Sequence, residues 1–331
     1  MDTFLRIRSL STINYIWGEA LFSTMRPKIS IIGAGNVGAT TAHLAALKGL
    51  GDIVLVDVVD GVPQGKGLDI LESLPVERKS VRVLGGTSYD SIAHSDLVVI
   101  TAGLARKPGM SRDDLLVKNA EIVSEVSKHV RQYAPEAIVI VVSNPLDAMV
   151  HVAAAAGFPS RKVIGMAGVL DSIRFATFIA EAAGVSVDNV QTLVLGGHGD
   201  QMIPLTSCAR IAGLPLETFL TKEQIETIVE RTKNGGIEIV NYLKTGSAYY
   251  APAASVVEMI EAILHDKKKI LPCACWLEGE YGFSGVFIGV PAVLGRKGVE
   301  KIVEISLSNQ EREAFAKNVG HVRELVSKVG L

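Results

Sequence analysis

At 331 residues the chain is long enough for about two domains and a large buried core. Hydrophobic residues make up 48% and charged residues 21%, with no low-complexity tract, which excludes a disordered chain. Thirty-three basic residues against 35 acidic ones leave a net charge of −2, so there is no broad attraction for nucleic acid or an anionic membrane, and any anion must be bound locally.

In chain order, residues 1–25 fit nothing that follows. Arg6 and Arg8 mix with Ile13, Tyr15, Ile16 and Trp17, while Asp2 and Glu19 oppose a transit peptide. The apolar blocks are too short for a secretory core or a membrane span. The expectation is a disordered extension ahead of a functional start at Met25, with a partner-binding arm as the alternative. An apolar run at 28–33 then leads into Gly33-Ala34-Gly35-Asn36-Val37-Gly38 and an Ala-rich helical pattern at 36–48. In a strand–turn–helix the first glycine permits the turn, the second lets backbone approach a pyrophosphate, and the third lets helix pack on strand. Glycines also mark ordinary turns. Asp57 decides between these readings, because it ends the next strand, 53–58, where a carboxylate accepts the adenosine ribose hydroxyls and repels a 2′-phosphate. The expected cofactor is NAD.

Further strands are expected at 82–85, 97–102, 137–144 and 163–167, with helices at 113–133 and 148–156. This alternation implies an α/β fold, a Rossmann-type doubly wound parallel sheet over 26–167. Beyond about residue 170 the order changes to a helix, strands at 190–196 and 203–205, long helices from 222 to about 265, strands from 270 to 293 and a final helix at 308–329. A mixed α/β substrate domain is expected over 168–331, with a rigid interface and the active site between the two. Cys208, Cys273 and Cys275 are too few for a disulfide framework, and the Cys-x-Cys pair has no nearby partner to complete a zinc site. They read as reduced thiols of a cytoplasmic protein, and no metal is expected.

Four places can carry chemistry. The loop after the fourth strand holds Arg106, Lys107 and Arg112 around Pro108 and Gly109, either a solvated basic loop or an anion-seeking substrate lid. Ser143-Asn144-Pro145 follows the fifth strand and offers an amide to a substrate oxygen. Asp171 and Arg174 share one helix face, as a surface ion pair or as an imidazole-orienting acid beside a carboxylate-gripping cation. His198 lies in Gly196-Gly197-His198-Gly199-Asp200 at a strand end. A lone histidine is more often structural, but the flanking glycines imply little steric cover and favour a proton-exchanging group.

From Arg26 onward the chain resembles the lactate and malate dehydrogenase family. The motifs are Gly33-Ala34-Gly35-Asn36-Val37-Gly38, Thr101-Ala102-Gly103, Arg106-Lys107-Pro108-Gly109, Ser143-Asn144-Pro145, Val169-Leu170-Asp171-Ser172-Ile173-Arg174-Phe175 and Gly197-His198-Gly199-Asp200. The resemblance implies that His198 donates and accepts the proton and that Asp171 pairs with it. By the same resemblance Arg174 binds the C1 carboxylate, Arg112 polarises the carbonyl, Asn144 touches substrate and cofactor, and Asn119 and the Val142-Ser143 backbone lie against NAD. Lactate dehydrogenases carry glutamine where this chain has Arg106. A second substrate carboxylate would be costly to enclose unpaired, whereas pyruvate would strand the arginine. The sequence looks more like the lactate-dehydrogenase-type malate dehydrogenases of bacteria than the dimeric mitochondrial or cytosolic enzymes. The implied reaction is reversible NAD-dependent oxidation of (S)-malate to oxaloacetate. Lactate dehydrogenase chemistry and a non-catalytic NAD-binding regulatory protein are the alternatives. A homodimer or homotetramer is expected, with no nucleic-acid or membrane partner.

Overall fold

The computed structural model describes residues 26–104 and 112–331. The expected extension at 1–25 and the loop carrying Arg106 lie outside the described residues, and Arg112 enters only through its backbone at the start of a helix.

Strands β1 (Lys28–Ile32), β2 (Asp52–Val56), β3 (Val83–Gly86), β4 (Leu97–Ile100), β5 (Ile138–Val141) and β6 (Val163–Gly165) alternate with helices. These helices are α1 (Asn36–Lys48), α2 (Val62–Ser73), α3 (Arg112–Tyr133) and α4 (Leu146–Ala154), and α5 (Gly168–Ala183) follows β6. The six strands pair in parallel in the order β6-β5-β4-β1-β2-β3. Two-residue strands β7 (Val190–Gln191), β8 (Val194–Leu195), β9 (Ile203–Pro204), β10 (Arg210–Ile211) and β11 (Leu214–Pro215) come next. The chain then forms α6 (Lys222–Leu243), α7 (Tyr250–Leu264), β12 (Lys269–Glu278), β13 (Ser284–Gly295), β14 (Gly298–Ile302) and α8 (Asn309–Lys328).

The inner strands are nearly continuous apolar runs because both faces are covered. Successive side chains leave opposite faces. Ile29, Ile31, Ile53 and Leu55 share one core with Ala42 and Ala45 of α1 and Val256 and Ile260 of α7, whereas Val54, Val56 and Ile100 join Val123 of α3 and Met149 of α4 in a second. A third cluster sets Phe175 and Ile179 of α5 against Ile225 and Ile228 of α6.

Two features depart from the sequence expectations, and a third gives them detail. Helix α2 had not been anticipated: Gly61, Gly65 and Gly67 lower helix propensity, yet Gly61 opens it at φ 83° and Gln64 accepts the Gly61 N–H at 2.9 Å. Of these glycines only Gly67 serves packing: a Cβ on it would stand 3.0 Å from the Gly85 backbone nitrogen of β3, and a Cβ on Gly85 itself would stand 1.8 Å from the Pro63 carbonyl oxygen of α2. The long helices expected from 222 to about 265 are two, α6 and α7, separated after Leu243 where Lys244 and Gly246 take positive φ. Lastly, β12 pairs antiparallel with β6, so the β12–β13–β14 meander extends the parallel sheet to nine strands rather than standing apart. Among the described residues no helix is long and apolar enough to cross a membrane.

Candidate active site

The strand order reverses between β4 and β1, and a crevice opens outside the carboxyl ends of strands at such a point. The glycine turn lies there. Gly33 has φ 109°, and a Cβ on it would sit 2.5 Å from Thr101 Oγ1; a Cβ on Gly38 would fall 1.9 Å from the Gly33 carbonyl oxygen. Gly35 differs, because nothing lies within 4 Å of the place its Cβ would take. No side chain caps the start of α1 at Gly35, which leaves first-turn N–H groups and the positive end of the helix for an anion. Asp57 Oδ2 accepts the Ala34 N–H at 2.7 Å and Oδ1 the Val59 N–H at 3.0 Å, holding the carboxylate beside the turn. Open space at one glycine, an uncapped helix end and an acid at the next strand end fit a dinucleotide with unphosphorylated ribose.

Across the crevice α5 and the loop after β8 bring three side chains together. His198 Nδ1 lies 2.9 Å from Asp171 Oδ2, and Arg174 Nη1 lies 3.3 Å from Asp171 Oδ1. Asp171 is 1% exposed, so its charge is held by these two partners rather than by water. Burial alone would lower the His198 pKa, but the Asp171 charge and hydrogen bond, joined by the Asp147 charge, outweigh it and the opposing Arg174 charge, and the net direction is up. Burial pulls the Arg174 pKa down against the Asp171 charge. Arg174 Nε is buried with no hydrogen-bond partner, a donor unspent within the protein. The imidazole itself is better covered than the glycine-flanked motif implied, with its side chain only 17% exposed. His198 borders a cleft of about 560 Å³ that is also lined by Asn144, Asp147, Ile237, Asn318 and His321.

Asn144 precedes a cis peptide to Pro145, and its exposed side chain accepts the Leu146 N–H through Oδ1 at 3.2 Å. Asn119 is buried and spends its amide on backbone: Oδ1 accepts the Leu104 N–H at 2.7 Å, and Nδ2 donates to the carbonyls of Asn144 at 2.7 Å and Leu104 at 3.2 Å. It thus ties the loop after β4 to the turn after β5. Val142 and Ser143 are buried beside β4, where Ser143 Oγ donates to the Ala102 carbonyl at 2.5 Å.

Sequence reasoning missed several supports of this site. Asp147 accepts the His198 N–H, and Asn318 on α8 accepts the Gly197 N–H at 2.8 Å. Gly235 and Gly236 of α6 leave room for Arg174, whose Cδ would lie 3.3 Å from a Cβ on Gly235. Lys66 of α2 donates to the Ala34 carbonyl at 2.6 Å. Adjacent glycines inside α6 were the one visible signal. Among the described residues no group of His, Cys, Asp and Glu is arranged to hold a metal ion.

The profile of the lactate/malate dehydrogenase NAD-binding domain matches residues 27–165, and that of the lactate/malate dehydrogenase α/β C-terminal domain matches 168–329. A protein named malate dehydrogenase from Heliobacterium modesticaldum is 56% identical over 307 residues, covering 92% of this chain and 99% of its own. The crystal structure of Cryptosporidium parvum malate dehydrogenase superposes with a TM-score of 0.90 at 47% identity, covering 92% of this chain and 99% of that one. Lactate dehydrogenase from the same organism, solved with lactic acid and β-nicotinamide adenine dinucleotide, gives 0.90 at 42% identity, over 93% and 99%.

Proposed function

This chain belongs to the lactate/malate dehydrogenase family, and we propose that it catalyses the reversible NAD-dependent oxidation of (S)-malate to oxaloacetate. The observation that carries the proposal is the buried His198–Asp171–Arg174 chain, beside a cleft that His198 lines together with Asn144 from the end of β5. With Nδ1 turned to Asp171, the other ring nitrogen, Nε2, is the one left to take the hydroxyl proton of malate. Asp171 holds that tautomer and stabilises the imidazolium that forms. Arg174 grips the C1 carboxylate, its unspent donor and half-neutralised charge suiting a second anion. Bound at the glycine turn and Asp57, NAD supplies the hydride acceptor for C2. In reduction, protonated His198 returns the proton to the carbonyl oxygen, and Arg112 meets the charge developing there. Asn144 contacts substrate and cofactor, and Asn119 acts by holding the turns on which Asn144 and Leu104 sit.

The choice of malate over lactate rests on Arg106 as the counterion of the second carboxylate and on the malate dehydrogenases among the relatives. The test is NADH consumption with oxaloacetate and with pyruvate. Oxaloacetate is expected to be the better substrate, and His198→Asn is expected to lower turnover by about 10²–10⁴-fold while NADH still binds. Preference for pyruvate would reassign the substrate, and no NADH consumption would leave a binding protein. Exposed Val240, Tyr242 and Leu243 on α6 support a homo-oligomer, to be read by light scattering. Three free thiols, two of them buried, fit a cytoplasmic setting.

A further inference from the structure

The glycines flanking His198 imply little steric cover, but the ring is largely covered. Gly196 and Gly197 have another explanation. A Cβ on Gly197 would lie 2.7 Å from Asp147 Oδ2 and 3.0 Å from Asn318 Oδ1, and one on Gly196 would lie 2.8 Å from Asn318 Nδ2. They let two buried polar side chains reach the loop backbone. Both Asp147 oxygens, from α4, accept the His198 N–H, at 2.9 and 3.2 Å. Asn318, from α8, accepts the Gly197 N–H through Oδ1 and donates through Nδ2 to the Gln201 carbonyl at 2.5 Å. The loop backbone from Gly197 to Gln201 is therefore gripped by two elements distant in sequence, with Asp147 on the histidine N–H itself.

We propose that Asp147 and Asn318 are positioning residues for His198, together clamping its loop, and that the Asp147 carboxylate is also a second negative charge beside the imidazole. The inference rests on the reading of His198 as the proton-exchanging group. A clamp alone would not need a carboxylate, since an asparagine accepts the same N–H without burying a charge. The burial cost is visible: it pushes Asp147 up to about 6, against the opposing His198 charge and N–H bond and the His321 charge, with Asp171 adding to the rise. The return is at the ring. Asp171 and Arg174 of α5 face the imidazole with opposite effects, and Asp147 sides with Asp171 in favouring the protonated form. His321 of α8 faces Asp147, and Asp113, Asp200 and Lys328 line the same cleft.

Malate oxidation needs neutral His198, so kcat/KM for malate rises with pH through the histidine ionisation. Asp147→Asn keeps an acceptor for the backbone N–H and removes the charge, so this acid limb is expected to move to lower pH. Asn318→Ala removes an uncharged grip. There kcat is expected to fall about tenfold or more through misplacement of the ring, with the limb unmoved. An unmoved limb in Asp147→Asn, or an equal displacement in Asn318→Ala, overturns the proposal. Should Asp147→Asn fail to fold, an NMR titration of the labelled histidines in the unaltered protein serves instead. His198 is expected to show a second inflection near pH 6 as Asp147 protonates, and a single-step curve overturns the charge role. Near-normal turnover of His198→Asn would remove the proton-exchange reading itself, an outcome distinct from both.

Discussion

Helix α4 carries two buried titratable groups whose pH effects on stability oppose each other, His151 and Asp147. Burial lowers His151 from its ordinary 6.5 to about 4, and its Nε2 accepts the Phe287 N–H at 3.0 Å, a bond only the neutral ring can make. Because the unfolded chain takes this proton first, acidification from 6.5 to about 4 favours unfolding and stability falls. Asp147, raised from 3.8 to about 6, behaves oppositely. The folded protein takes that proton first, so stability rises as pH drops from about 6 to 3.8, when the cost of the buried charge is relieved. At about 1.4 kcal/mol per tenfold difference in proton affinity, each effect amounts to roughly 2–3 kcal/mol between about pH 7 and pH 4.5. Together they nearly cancel in the unaltered protein. His151→Gln retains an acceptor for Phe287 and removes the loss, so the variant should gain about 2–3 kcal/mol relative to the unaltered protein on acidification. Asp147→Asn should lose a similar amount. Urea unfolding at both pH values and one fixed protein concentration, followed by tryptophan fluorescence and circular dichroism, measures this. The same pH dependence in His151→Gln as in the unaltered protein would refute the reasoning, as would a change of opposite sign.

Asp57→Ser should weaken NADH binding and improve relative use of NADPH, read as the ratio of kcat/KM values, because the carboxylate that repels a 2′-phosphate is gone. Gly38→Ala puts a methyl group 1.9 Å from the Gly33 carbonyl oxygen; it should cost about 1–3 kcal/mol in denaturant unfolding and weaken NADH binding by displacing the turn. Arg106→Gln should lower kcat/KM for oxaloacetate by about 10²-fold or more and raise that for pyruvate, since a charge-assisted contact in a closed site contributes roughly 2–5 kcal/mol. An unchanged ratio of the two keto acids would mean that another residue reads the second carboxylate.

Sequence alone carried the parallel sheet and its cofactor crevice, for a local reason. Strands buried on both faces must be continuous apolar runs, as in Ile53-Val54-Leu55-Val56, and the glycines of the turn and the acid at Asp57 follow at short, fixed spacing. The three-residue step from Asp171 to Arg174 likewise placed both on one helix face, where they pair at 3.3 Å. Helix α2 stayed hidden because Gly61, Gly65 and Gly67 are poor helix formers, of which only Gly67 is held close to β3. Nothing in the residues of β12 says that it adds to β6, since an apolar strand can pair at many sheet edges and only the packed core selects one. Around His198 the division is sharpest. The motif marked the histidine, but the side chains that hold its loop, Asp147 and Asn318, stand 51 and 121 residues from their backbone partners. Hydrogen bonds between such distant groups leave no periodic trace in the chain, and only the tertiary fold brings donor and acceptor within reach.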